Sequence, residues 1–188
     1  MSVKYINRRN EAYYLKLVPT KTGKKQYYAV KDISKINQND LAEEIPSGFE
    51  FHESPVDARV VFRKIPVYNV SNEEVEIIDL VMKKHKTVSD YIIEKGINEI
   101  SIYISQMIDI DKDDILFNLK EKLYLIRTYE NVLKFKKTGK IYKAQRFCYR
   151  SSSYDWITIG SSQDLRYLAE KYCYHIDKDS LFEFGREQ

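Results

Sequence analysis

Lys134 to Arg146 reads KFKKTGKIYKAQR, with six basic residues and no acid. Where the chain turns inside this stretch decides which side chains face a core and which face water. A slip of one residue in a hairpin moves every side chain of one strand to the opposite face. Thr138 is β-branched and resists positive φ, so a tight two-residue turn on Thr-Gly is disfavoured. A three-residue loop with Gly139 in the left-handed region is expected instead. That loop pairs Lys136 with Lys140. One face then holds Leu133, Phe135, Ile141, Phe147 and Tyr149, with Lys143 as the exception. The other holds Lys134, Lys136, Lys140, Tyr142, Arg146 and Arg150. The stretch therefore reads as an amphipathic hairpin with one basic side.

The same tetrapeptide occurs earlier. Lys21-Thr22-Gly23-Lys24 lies between AYYLKLV and QYYAV. The same three-residue loop gives this first hairpin an inner face of Tyr13, Leu15, Leu17, Tyr27 and Ala29. Each KTGK sits in a basic segment. Residues 1–31 hold eight basic residues and one acid, Glu11, and residues 126–150 hold eight and one, Glu130. The formal net charge is only +3, so the remainder of the chain is acidic.

The 188 residues suit one ordinary domain or two small ones, and 43% hydrophobic content is enough to bury a core. No apolar run nears the roughly 20 residues of a membrane-spanning helix. The N-terminus MSVKYINRRNEAYY lacks the apolar centre of a secretory signal. Cys148 and Cys173 are the only cysteines, too few for a disulfide framework. These features predict a cytoplasmic, non-membrane protein.

Between the hairpins, EEIPSGFEFHESP (43–55) reads as loop with a short extended piece, and ARVVFRKI (58–65) as a strand stopped by Pro66. Ser71 and Glu74 form a capping box that opens a helix with the stripe Val75, Ile78, Val81, Met82 and His85. SDYIIEKGINEISIYIS reads as a hairpin turning near Lys95-Gly96. A further helix is expected from Asp113 or Asp114, with Leu116, Leu119, Leu123 and Ile126 inward. A last helix carries Leu165, Leu168, Ala169 and Tyr172 on one face, with Ser161 or Ser162 as its N-cap. The class is α+β: antiparallel hairpins and sheets with about three helices. The acidic stretch DIDKDD (109–114) marks a seam between an N-terminal part, 1–110, and a C-terminal part, 111–188.

The order YYLK, TKTGKKQYY, EEIPSGFEFHESP, VVFRKIP, then QRFCYRSSSYDWITIGSSQDLRYLAEKYCYHIDKDSLFE, resembles a group of bacterial proteins with no assigned function. The resemblance covers most of the chain. It implies no activity, cofactor or site.

Candidate chemistry is sparse. Asp109, Asp111 and Asp113 have the spacing of a calcium loop, but Asp114 stands where the loop needs Gly and Lys120 where it needs Glu. Zinc would have to draw on Cys148, Cys173 and His175, with His52 or His85, and no CxxC pair is present. No nucleophile elbow, P-loop or dinucleotide fingerprint occurs. No cofactor or metal is expected, and no catalytic residue can be named. What remains is charge. Lys134, Lys136, Lys140, Arg146 and Arg150 around Tyr142, and Lys21, Lys24 and Lys25 beside Tyr28, form candidate anion-binding sets. Cations displace counterions from phosphates, and aromatic rings stack on bases. A sequence pI of 8.6 is lower than a dedicated nucleic-acid binder usually shows. The leading reading is a non-catalytic binding module for an anionic partner, nucleic acid or an acidic protein. The alternative is a protein–protein adaptor or self-associating protein, and an enzyme of unrecognised type ranks below both.

Overall fold

A computed structural model describes residues 2–85, 87–106, 127–148 and 155–185. The chain divides into two compact units. One holds the residues up to Pro66, and the other holds Val67–Gln106 together with the chain from Tyr129 onward. The architecture is α+β, and every strand pairing is antiparallel. Two α-helices lie among the described residues. The acidic stretch 109–114 and the helix expected after it lie outside them.

The first unit carries two small sheets. Strands β1 (Lys4–Ile6), β2 (Ala12–Pro19) and β3 (Lys25–Val30) form one, and β4 (Phe49–Glu53) with β5 (Val60–Lys64) forms the other. Aromatic rings fill the space between them. Tyr5 stacks on Phe51 at 5.4 Å, and Tyr27 meets Phe62 at 5.9 Å. Such pairs add a little to the apolar area they remove from water. The first KTGK adopts the expected loop. Thr20 N–H donates to Lys24 O at 2.8 Å, and Lys21-Thr22-Gly23 form the bend with Gly23 at φ +77°. Leu15 faces Ala29 and Leu17 faces Tyr27, as that loop requires.

The second unit is a five-stranded meander with both helices on one face. Its strands are β6 (Tyr91–Lys95), β7 (Glu99–Ser105), β8 (Tyr129–Thr138), β9 (Ile141–Cys148) and β10 (Asp155–Ser162), paired in that order. Helix α1 (Asn72–Met82) begins at the Ser71–Glu74 capping box, with both reciprocal hydrogen bonds present. Helix α2 (Leu165–Cys173) is capped by Asp164, whose carboxylate accepts the Tyr167 N–H at 3.1 Å. Neither serine caps it, because β10 continues through Ser162. Ile78, Met82, Leu168, Ala169 and Tyr172 close over Ile100, Ile102, Leu133, Phe135 and Ala144, and all ten are buried. The stripes read from the sequence on α1 and α2 contribute to this core, and the stripe of Leu116, Leu119, Leu123 and Ile126 lies outside the described residues.

Candidate functional site

The second KTGK corrects the expected register. Thr138 pairs with Ile141, so Gly139-Lys140 is a two-residue loop and Lys136 faces Lys143. Gly139 takes φ +59°, while Lys140 is not in the left-handed region. Glycine at the first loop position is the arrangement of a type II′ hairpin turn, which matches the twist of its strands. Thr138 stays extended as the last residue of β8. The three-residue loop is not needed, because a turn centred on Gly139-Lys140 puts the glycine at the positive-φ position and spares Thr138 that conformation.

The shift leaves β8 as expected and reverses β9. Leu133 and Phe135 remain inside, but Tyr142, Ala144 and Arg146 now point to the helix side. Ile141, Lys143 and Phe147 move to the opposite face by strand alternation. Lys143, expected on the apolar side, joins Lys134 and Lys136.

The predicted cations among the described residues can now be placed. Arg146 is 5% exposed. Its Nε and Nη2 donate to Phe184 O at 3.0 and 2.8 Å, Nη2 also to Phe182 O at 3.1 Å, and Nη1 to Phe147 O at 3.2 Å. This guanidinium holds the C-terminal segment to the sheet. Tyr142 donates its hydroxyl to Glu74, which also accepts Lys137 Nζ at 2.7 Å. Burial, followed by the Glu74 carboxylate, pushes Tyr142 up to about 12. These two side chains tie the hairpin to the start of α1. Arg150 and Tyr149 lie outside the described residues. Lys21, Lys24 and Lys25 are exposed on the hairpin of the first unit, and Tyr28 on β3 is 45% exposed.

The face of the meander away from the helices therefore carries Lys134, Lys136 and Lys143, with Lys140 exposed in the adjoining turn. Lys136 and Lys143 are directly opposite and both exposed. Glu99 borders Lys136 on β7, but its carboxylate lies 3.4 Å from Lys134 Nζ. Lys136, Lys140 and Lys143 have no ion-pair partner among the described residues. Lys134 Nζ also lies 4.3 Å from the centre of the Trp156 ring, and Trp156 meets Phe147 edge to face at 5.6 Å. Glu94 and Tyr103 stand on the β6–β7 side of the same face, joined by a 2.9 Å hydrogen bond. The result is a row of lysines beside two aromatic rings. It can bind an anionic chain by charge and by ring contact, and it contains no arrangement that would activate a nucleophile.

Cys173 is 1% exposed in the core, where burial pushes its thiol well above the ordinary value. Among the described residues no three His, Cys, Asp or Glu side chains converge as metal ligands. No helix among them is long and apolar enough to cross a membrane. No family model, curated protein or solved structure matches the chain.

Proposed function

We propose that the protein is a cytoplasmic, non-catalytic binding module for nucleic acid in single-stranded form, contacting it through the lysines of its KTGK hairpins. The second hairpin makes the stronger case. The observation that carries this reading is the Lys136–Lys143 pair. Like charges directly opposite on neighbouring strands lower stability. An ordinary solvated face has no use for two such side chains at the middle of a sheet, whereas a phosphate backbone lying across them neutralises both. Trp156 and Phe147 beside the row supply apolar ring surface that duplex DNA does not need and unpaired bases do.

Trp156 is the one tryptophan of the chain, so its emission reports on this face. The test is a titration of that emission with an oligothymidylate and with a duplex of equal length. Single strands should quench it saturably at low salt. With three to four phosphates neutralised, log affinity should fall against log salt with a slope of about −2 to −3, from roughly −0.7 per contact. Replacing Lys136 and Lys143 together with Glu should abolish the effect. Unchanged affinity in that variant would sink the proposal, and an acidic protein partner would become the better reading of the same lysines.

A further inference from the structure

The first unit holds a cavity of about 600 Å³ where β3 approaches β5. Arg9, Tyr27, Tyr28, Lys31, Arg59 and Phe62 are the wall residues that matter here. Among the described residues strand β3 pairs only with β2, so its other edge is free of strand partners there. Tyr27 and Tyr28 are successive residues and point to opposite sides, yet both line the cavity. The cavity therefore wraps that free edge. Tyr27 is committed to the aromatic packing against Phe49 and Phe62. Tyr28 has no ring partner among the described residues.

The charges divide unequally. Glu11 and Asp57 are the acids of the lining. Glu11 accepts Lys31 Nζ at 2.7 Å and Asn7 Nδ2 at 2.8 Å, and the Lys31 bond is the chief cause holding its carboxyl below the ordinary range. Asp57 accepts the Arg59 backbone N–H at 3.1 Å, and it too is held low, first by its bond to Ser54. Both acids are thus ionised and occupied. Among the described residues neither Arg9 nor Arg59 has a carboxylate within ion-pair distance, although the Arg9 charge is near enough to help lower both Glu11 and Asp57. Arg9 Nη2 donates to Arg127 O at 3.3 Å, while its Nε is buried with no acceptor. A buried N–H without an acceptor is costly, and an incoming acceptor removes that cost.

Guanidinium groups recognise phosphate through paired N–H donors. An open tyrosine ring recognises the flat face of a base. The volume falls within the roughly 300–1,000 Å³ of small-molecule sites. We propose that this cavity binds a nucleoside 5′-phosphate, with the phosphate on Arg9 and Arg59 and the base against Tyr28. The residues that carry this proposal all belong to the first unit, and it does not depend on the reading of the lysine face.

Calorimetry on the intact protein with adenosine 5′-monophosphate, adenosine and inorganic phosphate tests it. The nucleotide should bind saturably and more tightly than either fragment. Arg59 is exposed, so Arg59→Ala should fold normally and weaken the nucleotide about tenfold or more. Tyr28→Ala should weaken the nucleotide about tenfold while leaving inorganic phosphate unchanged, because only stacking is lost. Arg9→Lys keeps the charge but removes the buried Nε donor, and should also weaken binding. Absence of saturable heat at millimolar nucleotide overturns the proposal. So does affinity that neither Arg59→Ala nor Tyr28→Ala alters, or inorganic phosphate binding as tightly as the nucleotide.

Discussion

The hydroxyl of Tyr172 occupies the space that a side chain at residue 160 would need. A Cβ built on Gly160 would overlap that hydroxyl and press on the ring behind it. The same hydroxyl donates to Ile159 O at 2.6 Å, so α2 is bonded to β10 at the point where the strand bulges. Gly160→Ala should therefore destabilise the second unit by at least ~2 kcal/mol through overpacking. Tyr172→Phe should cost ~1 kcal/mol for the lost hydrogen bond. Because the two residues share one space, the double variant should be less unstable than the sum of the two single effects. Urea denaturation of the three variants measures this, and additive losses would show that the contact is not what limits residue 160.

Lys143→Glu should change stability and binding in opposite directions. An opposite-charge pair with Lys136 should raise stability by ~0.5 kcal/mol. The same change removes a cation from the row and should weaken oligonucleotide binding severalfold. Urea unfolding and the tryptophan titration read the two effects on one sample. Lower stability in this variant would mean that Lys136 and Lys143 do not repel.

Glu74 makes the second unit sensitive to acid. Burial alone would raise its carboxyl, but the bonds from Lys137, Tyr142 and the Ser71 backbone outweigh that, and the net position is below the ordinary 4.5. A carboxyl lowered on folding adds stability that is fully present above its unfolded value and is lost as pH falls through the folded one. The stability gap between wild type and Glu74→Gln should thus be constant near neutrality and shrink below about pH 4.5. Denaturation midpoints at pH 7, 5 and 3.5 test the sign. A gap that grows on acidification would contradict it.

Arg146→Lys should loosen the C-terminal segment. Lysine cannot reach the carbonyls of Phe147, Phe182 and Phe184 together, and stranded carbonyls cost ~1–3 kcal/mol each when buried. Limited proteolysis should cut earlier between residues 177 and 185. Oligonucleotide affinity of the folded variant should be unchanged, since Arg146 lies on the helix side of the sheet. A fall in affinity with the fold intact would assign Arg146 to the interface.

The core was legible because it is written locally. Ser71 and Glu74 announce α1, and Leu165, Leu168, Ala169 and Tyr172 repeat at helical spacing. The first KTGK was legible for the same reason, since its loop and its strand pattern agree. In the second, Leu133 and Phe135 point inward under either register, so β8 could not discriminate. The deciding signal lay on β9, where Ala144 is small enough to sit under the helices and Lys143 is not. Arg146 argued the wrong way, because a guanidinium reads as solvent-facing. Two of the three carbonyls that satisfy it lie 36 and 38 residues further along the chain. The cavity of the first unit was invisible for a similar reason. Arg9 lies in the turn between β1 and β2 and Arg59 just before β5, in two sheets that do not pair with each other.

The bulge between Thr158 and Gly160 affects how copies of the chain meet. Strand β10 borders the meander, and a border strand offers its backbone to any other extended chain. The extra residue at Ile159 interrupts the regular spacing of those backbone groups and twists the strand. At the opposite border β6 is only five residues long and ends in Glu94 and Lys95. Both borders are thus poor templates for further strands. Among the described residues one face of this sheet carries no helix, and strand addition at either border is disfavoured.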